Sequence, residues 1–171
     1  VARAFVHTHP ERTLGLVLIG AFATVHNNQA VLELWNAVDC LADPVPPDFV
    51  RDFQVGAIAA PVADAFLEMV IDESMKLPAC VWRAATAGMI ERDYTFTGSG
   101  TLVPTLILYG DKDVFVPRAD QDVLVAAFKN SRLVVYVGTG CAAHWEMPAR
   151  VATDLSIWLR QIERAGVRRA A

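Results

Sequence analysis

Three apolar runs interrupt a chain otherwise patterned for helices. The first, TLGLVLIGAF at 13–22, is continuously apolar and rich in branched residues, as expected of a strand covered on both faces in a parallel sheet. A second strand opens PTLILYGDKDVFVP at 104–117 and ends at a glycine turn carrying Asp111 and Asp113. A third, SRLVVYV at 131–137, leads into the glycine-rich loop GTGC. Elsewhere the apolar positions recur at helical spacing. Val1, Ala2, Phe5 and Val6 read as the end of a helix stopped by HPER; Ala30, Val31, Leu34 and Trp35 form a stripe in 28–37, and Phe66, Met69 and Val70 another in 62–77. Pro78 opens a helix with Val81, Trp82, Ala85, Met89 and Ile90, and Pro148 one with Val151, Leu155, Trp158, Leu159 and Ile162, since proline is tolerated in a first helical turn. In 118–129, Val123, Leu124, Ala127 and Phe128 are expected to face inward, while Pro44, Pro46 and Pro47 read as a turn or linker. The order predicts an α/β fold: a three-stranded parallel sheet flanked by helices, with core segments 1–22 and 101–171 around a helical insert at 23–100.

Composition narrows the function classes. The chain has 171 residues, 54% hydrophobic and 20% charged, with a net charge of −4. That is enough for one cored domain and offers no broad basic field for nucleic acid; the one basic cluster is Arg164, Arg168 and Arg169. Cys40, Cys80 and Cys141 are odd in number and widely spaced, which argues against a disulfide framework or structural zinc site and fits a cytoplasmic setting. The most apolar run, 14–25, is shorter than the ~20 residues of a membrane helix.

Chemistry is expected where strand C-termini open into loops, and Asp113 stands at such a place. Its alternative role is that of a turn-former, since aspartate bonds its own backbone in turns.

GDKD with Pro117 beyond it, followed by GTGCAAHWEMP ahead of a terminal amphipathic helix, resembles the C-terminal half of the α/β-hydrolase family, and HPERTLGLVLIG resembles that family's segment after the nucleophile helix. The resemblance spans the whole chain and implies a partial α/β-hydrolase fold whose 23–100 insert is a helical cap. It further implies hydrolysis of an ester, lactone or related apolar small molecule by a Ser-His-Asp triad, without a cofactor or metal. Asp113, three residues after Gly110, takes the place of the triad acid. Counting back from Glu146 and Pro148 places Cys141 where the family has histidine; His144 is the nearest imidazole and a candidate base. No G-x-S-x-G nucleophile motif occurs; the available serines are Ser74, Ser99, Ser131 and Ser156. Trp35, Phe66, Trp82 and Trp145 are candidate substrate contacts, with Phe49, Phe53 and Met89 as further cap residues.

The chain alone is therefore expected to be inactive. Its strand at 13–22 is expected to present an unpaired edge, to be covered by a missing N-terminal half or by self-association. A second reading is a non-catalytic binding or interaction module marked by Cys141. A third takes Asp111 and Asp113 as a Mg²⁺-binding DxD pair for phosphoryl chemistry, although no glycine-rich phosphate loop with its lysine accompanies them.

Overall fold

A computed structural model describes residues 1–25, 27–91 and 101–170, except for the side chains of 165–170. Ser99, the end of the insert at 92–100, and the side chains of Arg168 and Arg169 lie outside the described residues. The elements are α1 (Ala2–Thr8), a 3-10 turn (Pro10–Arg12), β1 (Leu16–Ile19), α2 (Gln29–Asp39), α3 (Pro47–Gly56), α4 (Asp64–Met75), α5 (Ala79–Glu91), β2 (Thr105–Gly110), α6 (Arg118–Ala127), β3 (Ser131–Tyr136), α7 (Ala143–Glu146) and α8 (Pro148–Ala170).

The strands form one parallel sheet in the order β1-β2-β3, with Leu16 opposite Thr105 and Thr105 opposite Ser131. β2 lies in the middle and every one of its residues is buried, which is why it reads as an unbroken apolar run. Alternate side chains then serve two cores. Leu16, Leu18 and Ile107 pack with Val6 of α1, with Leu124 of α6 and with Phe128 just beyond that helix. Leu106, Leu108 and Tyr136 pack with Ala143 of α7 and with Val151 and Trp158 of α8. Helices thus cover both faces, and the strand C-termini open to one side.

β1 is shorter than the 13–22 run. Its pairing with β2 stops at Gly20, whose φ of +53° turns the chain out of the sheet, a conformation open mainly to glycine. The prolines at 46 and 47 start a helix instead of marking a linker: Pro46 caps α3 and Pro47 occupies its first turn, where the missing N–H costs nothing. Several stripe positions do not face inward: Met69, Val81, Val123 and Leu159 are exposed, whereas the polar Asp120 and Gln121 are buried on α6.

α2 to α5 enclose a core of their own from Val38, Leu41, Val45, Val50, Ile71, Ala79 and Trp82. Arg51 of α3 donates twice to Glu68 of α4, each bond 2.8 Å. Among the described residues, no helix is long and apolar enough to cross a membrane.

Candidate functional site

Three strand ends converge on one place. Gly20 follows β1, Asp113 lies on the loop after β2, and Cys141 ends the glycine loop after β3. A Cβ placed on Gly20 would lie 2.9 Å from Cys141 Sγ and 3.6 Å from Asp113 Oδ2. The missing side chain is what lets thiol and carboxylate sit against β1.

Asp113 is held on one side only. Its Oδ1 accepts from the Phe115 and Val116 amides at 2.8 and 3.0 Å, while Oδ2 is buried without a well-formed hydrogen bond. The thiol of Cys141 is the polar group beside it. Burial raises the Asp113 pKa, against the lowering effect of the two amides and the thiol, and the charge of Glu146 pushes it the same way as burial. The Cys141 pKa is pushed up to about 12, first by burial and then by the Asp113 charge. At neutral pH this thiol is protonated and cannot act as a base.

A carboxyl whose folded pKa exceeds its unfolded value binds more protons in the native state. Its stabilising contribution is complete below the ordinary value of 3.8 and is lost as pH rises through the folded pKa. Asp113→Asn is accordingly expected to be more stable than the parent at pH 7.5, with the gap closing toward pH 4. Urea midpoints at the two pH values measure this; a less stable variant at pH 7.5 would show that the charge is compensated.

The surrounding loops are fixed by side chains on backbone. Asp111 Oδ1 accepts from Gly138 N at 2.6 Å, and Lys112 N donates to Thr139 O at 2.9 Å, tying the acid loop to the glycine loop. Gly138 has φ +80°. The loop after β1 is held by α6 and α1: Ala23 N donates to Asp120 Oδ2 at 2.8 Å, Gln121 Nε2 donates to Ala21 O, and Arg3 Nη1 donates to Ala23 O. Asn28 Nδ2 then donates to Phe115 O at 2.8 Å.

Of the predicted site residues, Asp113 and Cys141 are brought together. His144 is not: it is exposed on α7, with its ring 5.5 Å from Trp145, makes no hydrogen bond to Asp113, and has its pKa lowered by partial desolvation. Trp145 meets Phe66 of α4 edge-on at 5.7 Å, so these two aromatics join insert and sheet beside Cys141. Trp82 is buried in the core of the insert between Phe49 and Phe53, at 5.4 and 5.1 Å. Phe53 in turn lies 6.4 Å from Phe115 of the acid loop. Trp35 and Met89 are half-buried on α2 and α5. Asp111 and Asp113 are committed to different loops, and among the described residues no cluster of three or more His, Cys, Asp or Glu could hold a metal ion.

In the sequence Glu146 serves only as a register mark, and nothing there gives Gly20 a role. Glu146 accepts from Gly140 N with Oε1 at 2.8 Å, and with Oε2 from the amides of Ala59, at 2.9 Å, and Ala60. Gly20 was legible only as a glycine closing an apolar run.

No protein-family model matches the chain, and no curated protein matches it. Solved structures do. A thermophilic esterase from Thermogutta terrifontis matches at a TM-score of 0.75 and 23% identity over 95% of this chain. An esterase described as a putative aryl esterase, from Burkholderia cenocepacia, matches at 0.80 and 17% over 95%. The 2-hydroxy-6-oxo-6-phenylhexa-2,4-dienoate hydrolase of Rhodococcus sp. strain RHA1 matches at 0.71 and 17% over 92%. The chain spans 61%, 61% and 59% of their respective lengths. These likenesses show the fold: a partial α/β-hydrolase fold.

Proposed function

We propose that this chain is the C-terminal part of an α/β-hydrolase whose parent hydrolyses an ester, lactone or related apolar small molecule, with α2 to α5 as its substrate-selecting cap. The observation that carries this reading is Asp113, set at the C-terminal end of β2 with one oxygen fastened by two amides and the other turned to position 141. That is the arrangement a triad acid needs, since it must be rigid and must offer one oxygen to its partner. The serine would come from the parent outside this chain, and the outer edge of β1 is where we place the parent's preceding strand. The three cysteines are unpaired, in keeping with a cytoplasmic setting.

A second reading is favoured by Cys141. A thiol with a pKa near 12 in place of imidazole suits a non-catalytic relative that binds a small apolar ligand under the insert. The full-length protein distinguishes the two. Under the first reading it hydrolyses p-nitrophenyl butyrate and is labelled by a fluorophosphonate at a serine preceding Val1. Neither hydrolysis nor labelling, together with retained binding of an unreactive ester analogue, would establish the second.

A further inference from the structure

Three hydrogen bonds fasten the segment after α3 to the sheet side of the site, two of them on one carboxylate that also holds the glycine loop. Glu146 holds Gly140 N with one oxygen and the amides of Ala59 and Ala60 with the other. The third crossing bond is direct, Ala142 N to Ala57 O at 3.3 Å. Glu146 is thus the shared acceptor between the segment after α3 and the glycine loop that carries Cys141. Packing there leaves no slack: a Cβ on Gly140 would lie 2.7 Å from Ala57 O and 3.0 Å from Ala59 N. Two aromatic pairs flank the contact, Phe66 with Trp145 and Phe53 with Phe115.

We propose that Glu146 is a positioning residue that clasps the insert over the Asp113–Cys141 site, so that the site opens when residues 57–60 leave this carboxylate. Charge-assisted bonds to several amides are stronger than neutral ones, and the Ala142 to Ala57 bond is long and has no such assistance. Glu146 therefore governs the opening, and the direct bond follows it. The inference concerns access to the site and stands apart from the hydrolase reading, because its test involves no turnover.

Amide hydrogen exchange provides that test on the protein and on Glu146→Ala and Glu146→Gln. In Glu146→Ala the amides of Ala59, Ala60 and Gly140 must exchange faster simply because they lose their acceptor. The decisive amide is Ala142 N–H, which donates to Ala57 O and not to the Glu146 carboxylate; the Ala142 carbonyl accepts from the Glu146 backbone N–H, a bond that both substitutions keep. The clasp predicts that Ala142 exchange rises by about tenfold or more in Glu146→Ala. The rise is smaller in Glu146→Gln, which keeps one acceptor oxygen, and the amides of Leu106 to Leu108 in β2 do not change. Faster exchange confined to the three direct partners would overturn the proposal. So would a rise that extends to β2, which would make Glu146 a general contributor to stability.

Discussion

Gly110→Ala is expected to lower the free energy of unfolding by about 3 kcal/mol, at the upper end of the usual cost of overpacking, and to open the candidate site. Gly110 closes β2 opposite Tyr136. A Cβ there would lie 2.1 Å from Gly140 O and 2.4 Å from Thr139 O. Both atoms are backbone and cannot swing away as the tip of a side chain would. The glycine loop must therefore move as a unit, straining the bonds Lys112 N to Thr139 O, Gly138 N to Asp111 and Gly140 N to Glu146. The control is Gly88→Ala in the interior of α5, where nothing lies within 4 Å of the added Cβ. It is expected to stabilise by about 0.5–1 kcal/mol through helix propensity alone. Urea denaturation of the two variants gives opposite signs if the close approach is as described; a neutral Gly110→Ala would mean that the loop yields.

The same geometry explains what could be read from the residues and what could not. β2 and its acid loop were legible because a central parallel strand is apolar at every position and its exit carries Gly110, Asp113 and Pro117 in a short span. The pairing of Asp113 with position 141 followed from spacing and resemblance. α3 is not legible because prolines signal both linkers and helix starts, and only the backbone before Pro47 decides between them. The inward face of α6 differs from its apolar stripe because Asp120 and Gln121 turn inward to hold the backbone of the loop after β1, an order that periodicity of apolar residues alone cannot reveal. Glu146 has the same character. A carboxylate working on amides more than eighty residues away in the chain leaves no local trace beyond its spacing from Pro148.

Cys141→His is the substitution expected to change the chemistry most. In the parent, Asp113 Oδ2 has no N–H donor, and the thiol beside it holds its proton up to about pH 12, so no group at this position can take a proton from a nucleophile at neutral pH. An imidazole at 141 would supply the donor Asp113 lacks through one nitrogen and a free acceptor through the other, the division of labour a general base requires. An adjacent carboxylate favours the imidazolium, so the new histidine is expected to titrate above the ordinary value of about 6.5. The sign of its linkage is opposite to that of an acid with a lowered pKa: the added stability is complete below about pH 6.5 and is lost as pH rises through the raised folded value. Asp113→Asn in the Cys141→His background should return the pKa toward the ordinary value. In the full-length protein, p-nitrophenyl butyrate hydrolysis should rise by about 10²-fold or more, the usual span of general base catalysis, and Asp113→Asn should remove most of that gain. The imidazole titration is followed by NMR on the chain itself, separately from turnover. A histidine at 141 that titrates normally and does not respond to Asp113→Asn would show that Asp113 does not orient this position. A raised pKa without turnover would instead place the deficiency outside these loops and favour the non-catalytic reading.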